Sequence, residues 1–203
     1  MVRGIKKIRG GDLAVCDICK ISKLTQKPHL EAVVYNKGED MPDLVVMDLA
    51  GPNKPRTLGG KSYDMVLVDT FSQRSFVMLW AKKSEAAGIL VKWILLMENL
   101  TGKKLKRLRS DNGGEFMSNK FENWLEDRGS QHQTTSPYNP QSNGIDERMN
   151  RTLQDKARSM MLESKLPGSL WGEIMLTACV VRNLTPTSSL SKIPLEMWTG
   201  KKP

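Results

Sequence analysis

Histidine and cysteine are scarce in this chain, with two His and three Cys among 203 residues. One of the cysteines, Cys179, stands alone, so a disulfide framework of the kind that staples small secreted domains is excluded and a reducing compartment fits. No stretch approaches the roughly 20 apolar residues that a membrane span needs, and residues 1–11 are basic without an apolar core, so neither a membrane helix nor secretion is expected. Internal repeats and low-complexity tracts are also missing. Positive charge is what the chain has in excess: 31 Lys and Arg against 22 Asp and Glu leave +9 and a pI near 9.5. That balance favours a polyanionic partner, nucleic acid first, although charge alone does not separate such a partner from a merely solvated surface. With 39% hydrophobic residues the chain can bury one ordinary core.

Residues 1–40 are basic and polar with little periodicity, and regular patterning begins at Leu44, which puts a boundary near Pro42. Three short strands are expected at Leu44–Leu49, Tyr63–Asp69 and Ser75–Trp80, separated by turns containing Gly and Ser. Ser84 as N-cap and Glu85 as first-turn acid open a helix to Leu100, largely buried through Trp93, Ile94 and Leu96. A strand at Leu105–Arg109, a helix at Asn119–Arg128 closed by Gly129, and a strand at Gln131–Thr135 follow. Ser136–Gly144 (SPYNPQSNG) must be an irregular loop. In the next helix Met149, Leu153, Ala157 and Met160 share one face, while Glu147, Arg151, Gln154 and Arg158 form a polar stripe about 120° away. Asn143 could cap it, with Asp146 as its first-turn acid. Leu170–Leu184 gives a last helix before a Pro-containing tail. The order is mixed α/β.

Three acids fall at element ends: Asp48 late in the first strand, Asp111 just after the fourth, and Glu147 at a helix start. Mg²⁺ takes oxygen ligands, commonly a few carboxylates with substrate phosphate and water, so acids converging from such ends suit it. Two ions roughly 4 Å apart can serve phosphodiester displacement. Each acid alone would read as a solvated turn residue. Context separates these three: Asp111 sits in SDNGGEF, Glu147 follows the Pro/Asn/Gly loop, and 35 residues lie between them.

Asp48, SDNGGEF, SPYNPQSNG and IDERMNRTLQDKAR together resemble the Asp, Asp, thirty-five, Glu signature of retroviral and retrotransposon integrases. The later residues, Leu166-Pro167, Leu170-Trp171, Arg182-Asn183 and Pro194 to Pro203, are similar to the copia-type retrotransposon branch. The resemblance covers residues 38–203. It implies an RNase H-like fold, a five-stranded mixed sheet flanked by helices. Asp48, Asp111 and Glu147 would be catalytic ligands of two Mg²⁺ or Mn²⁺ ions. The implied reactions are trimming of element DNA ends and attack of the 3′-hydroxyl on target DNA. It further implies a homo-oligomer, acting in the nucleus or in a cytoplasmic virus-like particle. Asp64 and Asp69 are set aside as turn or surface acids, Asp146 as a helix acid, and Glu115 as no part of the family's triad.

Lys103, Lys104, Lys106, Arg107 and Arg109 crowd the stretch leading to Asp111. Some of them, Lys106 and Arg109 foremost, are candidates to meet phosphate, with a solvated strand edge as the alternative. Tyr138, Gln141 and Asn143 of the loop are DNA candidates through the resemblance, and Arg148 and Arg151 could follow the backbone. Cys16 and Cys19 resemble the second half of the His-His-Cys-Cys zinc module that precedes the integrase core, which makes residues 1–37 a remnant of that region and its linker. A structural Zn²⁺ needs four ligands, and no His lies among residues 1–15. An orphaned half-site without stable zinc is therefore expected, and His29 as a substitute would still leave one ligand missing. The polymerase, RNase H and protease regions of a polyprotein are not in the chain either, so a fragment is expected. Two rivals stay open: a relic that binds nucleic acid without catalysis, and an RNase H-like nuclease, which shares the acids but leaves the loop and later motifs unexplained.

Overall fold

A computed structural model of the chain describes residues 38–110, 119–134 and 144–203, with backbone alone at 144–150. Five strands form one sheet: β1 (Leu44–Ala50), β2 (Tyr63–Asp69), β3 (Ser75–Trp80), β4 (Arg107–Ser110) and β5 (Gln131–Thr134). Their spatial order is β3-β2-β1-β4-β5. The first three make an antiparallel meander, and β4 joins β1, and β5 joins β4, in parallel. The helices are α1 (Ala86–Thr101), α2 (Asn119–Asp127), α3 (Gly144–Ser164), α4 (Trp171–Asn183) and α5 (Pro194–Thr199).

Strand alternation sorts the core into two layers, because successive side chains leave a strand on opposite faces. On one face Val45, Met47, Met65, Leu67 and Leu108 pack under α1 and α2 with Leu90, Ile94, Phe121, Leu125 and the Trp198 ring of α5. On the other, Val66 and Val68 meet Leu153 and Ala157 of α3 and Ile174, Ala178 and Cys179 of α4. A sheet covered on both faces explains the nearly continuous apolar runs of β1 and β2.

Close approach fixes α4 on that second face. A Cβ at Gly172 would stand 2.7 Å from Thr57 Cγ2 and 2.8 Å from Leu79 Cδ1, so only glycine lets the helix sit there. At the other end of α4 the buried Arg182 guanidinium donates through Nη1 to Gln73 O and Ser75 Oγ, both at 2.6 Å. Asn183 Nδ2 donates to Ser75 O at 2.8 Å. These bonds tie α4 to β3 and the turn before it.

Several boundaries and burials depart from the sequence reading. Ser84 caps no α-helix: Lys83–Glu85 form a 3₁₀ turn, the Lys82 N–H donates to Glu85 Oε2 at 2.8 Å, and α1 starts at Ala86. Nor is α1 largely buried, for Leu96 and Leu100 are exposed while Leu90, Trp93, Ile94 and Met97 face the core. The fourth strand begins at Arg107 rather than Leu105, whose side chain is buried just ahead of it. The Pro-containing segment after α4 includes a further helix, α5, started by Pro194 at its first position, where the missing N–H costs nothing.

Asp64 and Asp69 are buried, not surface acids. The turn role expected for them fits Asp69, whose Oδ2 accepts from Ser72 N–H at 2.7 Å and Ser72 Oγ at 2.6 Å. Burial pushes its carboxyl up to about 6 against those bonds.

Candidate active site

Asp48 lies on β1 opposite Val66 of β2, and Ala50 lies opposite Asp64. Partners across an antiparallel pair and residues two apart along a strand share a face, so Asp48, Ala50, Asp64 and Val66 all point to the α3–α4 side. Asp48 is partly exposed and Asp64 is buried. Asn53 Nδ2 donates to Asp64 Oδ1 at 2.7 Å. Burial raises the Asp64 carboxyl to about 6 while that bond lowers it and the nearby charge of Asp48 raises it further. Two acids thus share one face, Asp48 partly exposed and Asp64 buried.

The parallel β1–β4 register pairs Val46 with Arg109. Arg109 therefore shares the Asp48 face, and its Nη2 donates to Gln133 Oε1 on β5 at 3.1 Å. The described part of β4 ends at Ser110, covalently joined to Asp111, which itself lies outside the described residues. Glu147 falls in the first turn of α3, whose buried Leu153 and Ala157 press on the same face; its side chain and that of Arg148 are not described. The two helix faces read from the sequence hold where side chains are described: Leu153 and Ala157 are buried, Met160 is partly so, and Arg151, Gln154 and Arg158 are exposed.

A cavity of about 420 Å³ continues this face. It lies between the β1–β2 loop, α3 and α4, lined among others by Lys54, Asp64, Gln154, Arg158 and Trp171. Trp171 Nε1 closes one side by donating to Pro55 O at 2.9 Å.

The basic stretch before β4 sits elsewhere. Lys106 Nζ stands 3.3 Å from Asp43 Oδ1 and Arg107 Nη2 stands 3.0 Å from Asp43 Oδ2, while Lys103 pairs with Asp40. Those acids precede β1, and Asp48 lies five residues further on, about 16 Å away along an extended strand. Lys103, Lys106 and Arg107 are thus held at the opposite end of the strands, because local carboxylates capture them, whereas Arg109 lies at the end of β4 that leads to Asp111. Cys16, Cys19, Tyr138, Gln141 and Asn143 lie outside the described residues. Among the described residues no cluster of three or more His, Cys, Asp or Glu is in place to hold a metal ion.

A mixed sheet with its open acid on the central strand, beside a strand leading to a second acid and beneath a helix that starts with a third, has close counterparts. Residues 39–140 match the model of the integrase core domain family. The chain belongs to that family. It is 38% identical over 98% of its length to the retrovirus-related Pol polyprotein from transposon TNT 1-94 of Nicotiana tabacum. It is 27% identical over 97% of its length to the Pro-Pol polyprotein of feline foamy virus. It spans 15% and 16% of those two relatives. Among solved structures, the simian T-cell lymphotropic virus intasome in complex with the PP2A regulatory subunit B56 gamma superposes with a TM-score of 0.65, at 21% identity, over 86% of this chain and 60% of that one. The catalytic core domain of BIV integrase superposes with a TM-score of 0.56 at 24% identity, over 78% of this chain and 95% of that one. The fold of this integrase core is accordingly RNase H-like, as expected from its motifs.

Proposed function

We propose that this chain is a polynucleotidyl transferase of DNA integration, trimming the 3′ ends of element DNA and joining them to target DNA, with Asp48, Asp111 and Glu147 as its catalytic acids. The observation that carries the reading is the β1–β4 register: the open acid of β1 and the strand that runs into Asp111 are adjacent and parallel, and α3, which starts with the turn of Glu147, packs on the same face. Family membership supports the same chemistry.

The donor set fits a hard divalent cation. Asp48 presents an oxygen ligand on a face where it already works against the ionisation of Asp64, and a cation there would relieve that like-charge repulsion. When bound, two Mg²⁺ or Mn²⁺ ions would supply Lewis-acid activation of the attacking oxygen and stabilisation of the leaving one. The chain's own part is placement. In this reading β1 and β4 would set the spacing of Asp48 and Asp111, α3 would carry Glu147 to them, and a duplex would be held by cations and polar groups that flank that face. Arg109, Arg148 and Arg151 are the proposed backbone contacts, with Tyr138, Gln141 and Asn143 of the loop close to the scissile strand.

DNA is the proposed partner, as element end and as target. A homo-oligomer is supported by apolar side chains left in solvent, Leu95, Leu96 and Leu100 on α1 and Leu176, Val180 and Val181 on α4, and by the naming of one structural neighbour as an intasome. The place of action is proposed as the nucleus or a cytoplasmic virus-like particle. No described helix is long and apolar enough to cross a membrane.

Thermal melting with and without Mn²⁺ tests the assignment. Mn²⁺ is expected to raise the melting temperature of the wild type but not of Asp111→Asn, and an equal rise in both would overturn the metal role of Asp111.

A further inference from the structure

We propose that Glu122, His132 and Ser110 form a positioning relay that sets the direction in which the chain leaves β4 for Asp111. This rests on the reading of Asp111 as a metal ligand. Ser110 Oγ and His132 Nε2 are 2.8 Å apart, and His132 Nδ1 and Glu122 Oε1 are 2.5 Å apart. The three residues come from β4, β5 and α2. The parallel register that pairs Leu108 with His132 places Ser110, two residues on, over the same face as the imidazole.

The hydrogen-bond roles follow from the carboxylate. Glu122 only accepts when ionised, so Nδ1 carries a proton, and in the neutral ring Nε2 accepts from the Ser110 hydroxyl. The imidazole is oriented from a second side by Phe121, which meets it edge-on at 85° with ring centroids 6.0 Å apart. With its side chain 3% exposed, His132 has little room to turn.

A Ser–His–Glu chain also suggests a hydrolytic nucleophile. Ser110 is only 1% exposed and shares the face of Leu108 beneath α2, away from Asp48, so no substrate reaches its hydroxyl. Position explains the arrangement better. Among the described residues the β4–β5 ladder stops at the pair Ser110 and Thr134. The ψ of Ser110, the last described residue of β4, sets where the next residue points. Anchoring the Ser110 side chain to a buried, doubly oriented ring restrains that torsion. Supporting hydrogen bonds of this sort around a metal site typically cost about 10- to 100-fold in metal affinity or activity when removed.

The experiment is a Mn²⁺ titration, read by thermal shift and by the electron paramagnetic resonance of free Mn²⁺, on wild type, Ser110→Ala, Glu122→Gln, the double variant and Asp111→Asn. Glu122 is 29% exposed on α2, so Glu122→Gln is expected to keep the metal-free melting temperature close to that of the wild type, which separates a lost orientation from a lost fold. The Mn²⁺ concentration at half saturation is expected to rise about 10-fold or more in each relay variant. The double variant should be no weaker than Ser110→Ala, since both act through one chain of bonds. Loss of binding in Asp111→Asn with wild-type binding in both relay variants would overturn the relay and leave the metal reading standing. Wild-type binding in Asp111→Asn as well would overturn both.

Discussion

Asp48 and Asp64 point the same way from neighbouring strands, yet Asp48 is partly open to solvent and Asp64 is buried against Asn53. Only Asp48 can then offer a carboxylate to an incoming cation, while Asp64 serves to hold the β1–β2 loop through the Asn53 amide. Asp48→Asn is expected to abolish Mn²⁺ binding. Asp64→Asn keeps the acceptor for Asn53 and should change the half-saturating Mn²⁺ concentration by less than about threefold, a small effect beside the 10- to 100-fold typical of residues that tune a metal site. Calorimetric titration of both variants distinguishes them, and equal losses would make Asp64 a ligand.

Stability should fall as pH rises from 4 to 6 in the metal-free protein. Burial raises Asp64 and Asp69 from the ordinary carboxylate value of 3.8 to about 6, so the folded state holds protons there that the unfolded state has released. The stabilisation is fully present below about pH 4 and is lost as pH climbs through 6. Asp40 and Asp43, held low, act only at more acidic pH. Asp69 alone accounts for on the order of 3 kcal/mol. Urea unfolding across this range checks it: Asp69→Asn is expected to flatten the fall, and an unchanged profile would contradict the assignment.

Arg182 is expected to be among the most sensitive positions outside the site. Truncation to Ala would leave Gln73 O and Ser75 Oγ without their donor and open a void beneath α4, costing about 3 kcal/mol. Arg182→Lys should recover only part, since one ammonium replaces a planar fork. Midpoints of chemical unfolding give both values.

Binding to duplex DNA is expected to be largely independent of sequence and strongly weakened by salt, because the excess charge is Lys and Arg. The structure adds a positional contrast. Arg151→Glu, on the exposed stripe of α3, should lower affinity and the salt slope, whereas Lys106→Glu, at the far end held by Asp43, should change little. Fluorescence anisotropy at several salt concentrations reads the difference.

The elements legible in the sequence were those whose signals are local. Apolar runs bounded by turn residues placed β1, β2 and β3 nearly to the residue, and Gly129 marked the close of α2. The turns between those strands read as a small meander, which the antiparallel pairing bears out, while the mixed five-stranded sheet followed from the resemblance. The turn role of Asp69 was legible, but the burial of Asp64 and Asp69 was not, because burial of an acid depends on neighbours such as Asn53 and Ser72. The capture of Lys106 by Asp43 joins residues 63 apart, invisible in a stretch read by itself. His132 carried no assigned role in the sequence; its bonds to Ser110 and Glu122 exist only once β4 and β5 lie parallel. The α5 helix was hidden by Pro194, which reads as a breaker and here starts the helix.

Rejoining of a preformed branched DNA oligonucleotide in Mn²⁺, by wild type and by Glu147→Gln, addresses the central claim most directly. Glu147→Gln keeps the shape of the side chain and removes its charge, so the account predicts measurable activity in the wild type and its loss in the variant, by at least about 100-fold if Glu147 is a ligand. Equal activity in both would contradict the role of Glu147. Inactivity of both, with DNA and Mn²⁺ binding intact, would instead identify the chain as a nucleic-acid-binding relic of an integrase.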